Sequence, residues 1–213
     1  MIAYASRTGT RRNLDALRAA GWHLLVSAAG ALRPEGFPYA LDNGAWSAYT
    51  QGRAFDDRAF GVALSKLGAG AEWVVLPDIV MGGAASLDMS IGWMDRVLSA
   101  TPRALLAVQN GMTVEDVRPF LGSRVGLFVG GDSTWKEQTI GQWAALGRSV
   151  GCWVHVGRVN TARRIAICTS EGVTSFDGTS ASRFANTVPM MNRARLQVGL
   201  FPGTEAPTGA EVE

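Results

Sequence analysis

The chain is poor in cysteine, histidine and lysine. Its 213 residues include two cysteines, Cys152 and Cys168, two histidines, His23 and His155, and two lysines, Lys66 and Lys136. Both cysteines sit in apolar surroundings, and the histidines show no ligand spacing, so no metal site is expected. The thiols read instead as buried, reduced groups of a cytoplasmic protein. Long apolar runs are also missing. No stretch suits a signal peptide or a membrane span, so no membrane partner is expected. Charge is scarce and balanced: 18% of residues are charged and the net charge is +2, which by itself gives no argument for nucleic acid. The cations are nearly all arginine, a residue suited to phosphates and planar groups, although a GC-rich genome produces the same bias.

What is present is a hydrophobic content of 47%, enough for a single domain with a sizeable core. Short β-rich runs recur at Ile2–Ala5, His23–Ser27, Tyr39–Leu41, Trp73–Leu76, Ala104–Val108, Val125–Val129, Trp153–Val156 and Val173–Phe176. Most are continuously apolar, as strands of a parallel sheet covered on both faces must be. Between them lie helical patterns: one capped by Thr10 and stopped at Gly21, then Phe55–Leu67, Ser86–Leu98, a short one opened by the capping box Thr113-Val-Glu-Asp116, Thr134–Val150, Asn160–Ser170 and Ser180–Leu196. Pro189 is expected to bend or split the last. The segment Ala28–Pro38, broken by Gly30, Pro34, Gly36 and Pro38, leaves no room for a full helix. Strands alternating with helices predict an α/β protein, a compact (β/α)8 TIM barrel over residues 1–200, with an open doubly wound sheet as the alternative. Residues 201–213, polar and rich in Pro and Gly, read as a flexible tail.

Apolar runs that stop at an acid carry the functional signal. Asp42, Asp78 and Asp177 each follow such a run and precede a turn, which places a carboxylate at the C-terminal edge of a strand, where barrel enzymes assemble their chemistry. Other strand ends supply Ser6-Arg7, Asn43-Gly44, Gln109-Asn110-Gly111, Gly130-Gly131-Asp132 and Gly157-Arg158. Each of these also reads as a turn on its own. Their coincidence at successive strand ends is the stronger signal. His155 reads as a satisfied core or rim histidine.

Several of these segments resemble the tRNA-guanine transglycosylases and their DNA-modifying relatives, the DpdA-type DNA deazaguanine transglycosylases. The resemblance runs from about Leu41 to Arg183 through Leu41-Asp-Asn-Gly-Ala-Trp46, Pro77-Asp78, Val108-Gln-Asn-Gly111, Leu127-Phe-Val-Gly-Gly131, His155-Val-Gly157 and Phe176-Asp177. It implies that Asp177 is a nucleophile toward C1′ of a guanosine-type nucleotide and that Asp42 is the general acid and base. Asp78, Gln109 and the Gly130-Gly131 backbone would read the purine edge, with Asn43, Gly157 and Arg158 lining the same pocket. From their positions alone, Trp46 or Met112 would stack on the base.

The resemblance implies no cofactor. Its partners would be nucleic acid and a 7-deazaguanine base such as preQ0. The Cys-rich zinc cluster of the tRNA-acting members has no counterpart in this sequence, which favours DNA over tRNA. Arg7 and Arg183 are the expected nucleic-acid contacts, in a cationic rim that also draws on Arg11, Arg12, Arg158, Arg163 and Arg164. The same pocket using water instead of a second base would be an N-glycosidase. A pocket without chemistry would be a purine-binding module.

Overall fold

Each strand pairs with its neighbours in sequence, and the last returns to the first, so the sheet has no edge. The computed structural model describes residues 1–7 and 10–196. The strands are β1 (Ile2–Ser6), β2 (His23–Ser27), β3 (Tyr39–Asp42), β4 (Val74–Val75), β5 (Ala104–Val108), β6 (Val125–Val129), β7 (Val154–Val156) and β8 (Ser175–Gly178). All pairings are parallel. The closing pair sets Tyr4 beside Asp177 and Ala5 beside Gly178. The fold is therefore the (β/α)8 barrel, and the open sheet is excluded because the last strand pairs with the first and every strand has two neighbours.

Among the described residues the helices are α1 (Arg11–Ala19), α2 (Ala45–Thr50), α3 (Asp57–Leu67), α4 (Ala84–Ala100), α5 (Val114–Val117), α6 (Ser133–Val150), α7 (Ala162–Ser170), α8 (Ser180–Arg183) and α9 (Val188–Leu196). The Thr113/Asp116 capping box forms at the start of α5. Thr10 occupies the N-cap position of α1 without a side-chain cap bond. No helix joins β2 to β3, as the Gly- and Pro-rich segment requires. The last helical stretch does split, but at Phe184 and a 3-10 turn over Ala185–Thr187, not at Pro189. Pro189 sits in the first turn of α9, where its missing N–H has no intrahelical partner to lose. The tail over 201–213 lies outside the described residues.

Strand periodicity sorts the core into two shells. Alternate residues point outward and pack with the helices: Ala3, Ala5, Leu24, Val26, Leu41, Val74, Leu106, Val108, Leu127, Val129, Val154, Val156 and Phe176. The inward set fills the barrel with Tyr4, Leu25, Ala40, Trp73, Val75, Leu105 and Ala107, joined by Ile2, Phe128 and Trp153. Continuing each inward row toward the C-terminal ends reaches Asp42 on β3, Gln109 after β5, Gly157 after β7 and Asp177 on β8. Compared with the sequence-based boundaries, β8 starts two residues later and runs to Gly178, so Asp177 belongs to the strand itself. No helix among the described residues is long and apolar enough to cross a membrane.

Candidate active site

Asp177 is almost fully buried, and each of its oxygens has one polar neighbour. His155 Nε2 lies 3.1 Å from Oδ2, and the backbone N–H of Arg158 donates to Oδ1 at 3.3 Å. Beneath them, His155 Nδ1 is 2.8 Å from Ser175 Oγ, which also accepts the Trp153 indole N–H at 2.7 Å. The His155 ring has no solvent exposure. It stacks on Phe128 at 5.0 Å between ring centres and lies 4.5 Å from Trp73. Burial holds this imidazole below its ordinary pKa, against the opposing pull of the Asp177 carboxylate. Gly157 is required beside it. A Cβ there would come within 2.8 Å of the Phe128 ring and 3.5 Å of Asp177 Oδ2.

Asp42 stands at the end of β3 and is pushed up to about 6, chiefly by burial. The Ser27 hydroxyl opposes the shift, and the negative charges of Asp177 and Asp78 add to it. That the charges of both acids act on Asp42 is the physical sign that the acids expected at separate strand ends lie around one mouth. Gly44, with φ of 86°, turns its N–H back onto Asp42 Oδ2 at 3.1 Å. This is a left-handed position that only glycine adopts easily. Asp78 is likewise raised to about 6 by burial, opposed by Asn43, whose side-chain N–H₂ donates to Asp78 Oδ1 and to the Leu76 carbonyl, both at 2.7 Å. Asn43 thus ties the end of β3 to the end of β4.

The remaining expected residues divide. The Gln109 amide nitrogen is engaged by the Ile79 carbonyl at 2.9 Å and Ser86 Oγ at 2.6 Å. The Gly130 N–H donates to the Val108 carbonyl at 2.8 Å. Both donors hold the scaffold. The Gly131 carbonyl accepts from the Arg158 guanidinium, and Arg158 itself lies over the Trp46 ring. Trp46 is 44% exposed, whereas Met112 is packed into the outer core. Arg7 is paired with Glu35 at 2.5 Å, and Arg183 is exposed. Arg163 and Arg164 both pair with Glu137, so they brace α6 to α7. The non-glycine residues with positive φ among those described, Glu35, Met81 and Arg158, lie in the loops after β2, β4 and β7. Backbone strain is concentrated in such places when a site depends on it.

Sequence reasoning missed Lys136. It is buried on α6, donates to the Gly157 carbonyl at 2.5 Å, and is brought down to about 8 mainly by burial, with the Arg158 charge adding and Asp177 opposing. A signal was available. Lys136, Ile140, Trp143 and Gly147 recur at helical spacing on one face and are all buried. The arrangement offers a fixed carboxylate and two further acids, Asp42 and Asp78, both pushed up to about 6 by burial. Among the described residues, no group of three or more His, Cys, Asp or Glu is placed to hold a metal ion. The chain matches no protein-family model, and no curated protein matches it.

Proposed function

We propose that the protein is a base-exchange transglycosylase that replaces guanine in nucleic acid, DNA in the first instance, with a 7-deazaguanine. The observation that carries this reading is the pair formed by Asp177 and Asp42 at one barrel mouth. One acid has both oxygens oriented by donors. The other is pushed up to about 6, so that it gives and takes a proton near neutral pH. Carboxylates driven into different roles by their surroundings are the arrangement that glycosyl transfer through a covalent intermediate needs.

In this reading an Asp177 oxygen attacks C1′ and the bond from C1′ to the base breaks. The departing base keeps the electron pair and takes the proton from Asp42. The incoming base then loses its proton to Asp42 and attacks C1′, which frees Asp177. Asp78, with Oδ1 already fixed by Asn43, retains lone pairs for the ring N–H and exocyclic amine of guanine. The guanine must leave the stack to enter, and Trp46 at the rim offers a face for it. The uncoordinated thiols of Cys152 and Cys168 fit a reducing, cytoplasmic setting.

The test is to incubate the protein with guanine-containing DNA or with tRNA, quench, and map any adduct by mass spectrometry. The expected result is a nucleotide on Asp177 with DNA, absent in Asp177→Asn, and incorporation of labelled 7-deazaguanine when that base is supplied. Release of free guanine without uptake of a second base makes the protein an N-glycosidase instead. Tight purine binding that survives Asp177→Asn, with no adduct, makes it a binding module.

A further inference from the structure

The hydrogen bonds beneath Asp177 have a direction, and tryptophan sets it. An indole N–H only donates. Trp153 therefore donates to Ser175 Oγ, and among the described residues the only other partner of that hydroxyl is His155 Nδ1 at 2.8 Å. With an indole proton already on its oxygen, Ser175 turns its own hydrogen toward His155 Nδ1. That ring nitrogen must then be the acceptor, and the ring proton sits on Nε2, facing Asp177 Oδ2 at 3.1 Å. The opposite tautomer would set two lone pairs against each other across that gap and leave the serine hydrogen without an acceptor inside a closed core.

We propose that His155 is a positioning residue, fixed by Trp153 and Ser175 as the neutral Nε2–H tautomer, that holds Asp177 Oδ2 by a single N–H. The tautomer follows from this geometry alone; the catalytic consequence rests on the transglycosylase reading. A neutral donor steadies the carboxylate without forming an ion pair with it, so the charge on Asp177 remains available to the anomeric carbon. The surroundings agree. Phe128 and Trp73 pack against the ring and Tyr4 meets it edge-on at 5.7 Å. The titratable or charged groups that face or act on it are Asp177 from β8, Tyr4 from β1 and Lys136 from α6. Burial and Lys136 both oppose a second proton, and only Asp177 favours one.

The test needs no substrate. With His23 and His155 as the histidines of the chain, a nitrogen-15 long-range correlation spectrum of histidine-labelled protein is easily assigned using His23→Gln. The expected pattern for His155 is a protonated Nε2 and a bare Nδ1, unchanged from about pH 5 to about pH 8, where an ordinary histidine changes charge. A protonated Nδ1, or an imidazolium near neutrality, overturns the proposal. Ser175→Ala removes the hydrogen donated to Nδ1, so the Nδ1 resonance is expected to move while the proton stays on Nε2 facing Asp177; an Nδ1 resonance identical to wild type also overturns it. On the catalytic side, His155→Gln, whose amide reaches the Nε2 position, is expected to retain at least tenfold more adduct formation than His155→Asn at equal substrate affinity. Equal losses in the two variants overturn the positioning role. If no variant and no wild type forms an adduct, the reaction is at fault, and the spectrum still decides the tautomer.

Discussion

The guanidinium carbon of Arg158 sits 4.1 Å from the centre of the Trp46 ring, and this contact joins the loop after β7 to the helix after β3, on opposite sides of the mouth. The same Arg158 donates to Asp177 from its backbone and to the Gly131 carbonyl from its side chain. A rim aromatic is thereby linked to the buried carboxylate through one residue held at a φ of 59°.

Trp46→Ala is expected to leave thermal stability nearly unchanged, because an exposed cation–π contact contributes only about 0.5–1 kcal/mol. It is expected to weaken binding of guanine-containing single strands by about tenfold, the loss of one stacking face. Fluorescence anisotropy with labelled oligonucleotides measures this. Equal affinity for wild type and variant would remove Trp46 from the interface.

Asp42→Asn separates the titration of this acid from the fold. Because the folded carboxyl is raised to about 6 from 3.8, the folded state holds its proton more tightly than the unfolded chain between those values. Wild-type stability from this group is therefore full below about pH 4 and is lost as pH rises to about 6. The variant is expected to melt progressively higher than wild type across that window, with the gap, on the order of 3 kcal/mol, constant above it. Thermal melts at a series of pH values check the sign. Base exchange is expected to fall by at least a hundredfold.

Lys136→Met tests the buried ammonium. The folded amine is brought down to about 8 from 10.5, so the unfolded chain binds more protons between these values and stability rises with pH there. The variant is expected to lose that rise. At neutral pH it should be more stable by about 1 kcal/mol, the relieved desolvation outweighing one hydrogen bond to Gly157. Urea melts near pH 7 and pH 10 measure both. Adduct formation is expected to drop, since the Gly157-Arg158 turn loses its anchor.

Gly157→Ala forces the Phe128 ring aside, and the expected cost is about 1–3 kcal/mol with a matching loss of the His155 contact geometry. Denaturant midpoints and the His155 nitrogen spectrum together report it. A variant that is as stable as wild type with an unchanged spectrum would show that the space beside Asp177 is not tight.

The thiols supply a control for the outer shell between helices and strands. Burial raises Cys152 to about 11 and Cys168 to about 12. Neither is expected to alkylate at neutral pH while the protein is folded, and both are expected to do so in denaturant. Mass spectrometry after iodoacetamide treatment reads the count.

The barrel was legible because its strands are apolar throughout and its acids stop them. The periodicity also located the ends of β2, β5 and β6 to the residue. What escaped depends on register. His155 was readable as a satisfied buried histidine, yet its partners lie 20 and 22 residues away and become neighbours only because β7 and β8 pair. Glu137 pairs with Arg163 and Arg164, which were expected to belong to the cationic rim, and this partner lies 26 and 27 residues away in the chain. The donors of Gln109 and Gly130 sit at the right strand ends, but the scaffold's own carbonyls and the Ser86 hydroxyl occupy them.

The pairing of Tyr4 with Asp177 joins the third residue of the first strand to the third of the last. During synthesis Tyr4 therefore stays without that neighbour until β8 has left the ribosome and the final stave has found the first. A chain halted between α4 and β8 carries Asp42 and Asp78 but no assembled mouth. In the transglycosylase reading, a copy without β8 therefore lacks the nucleophile and the closed ring together, and closure of the ring is the step that arms the site.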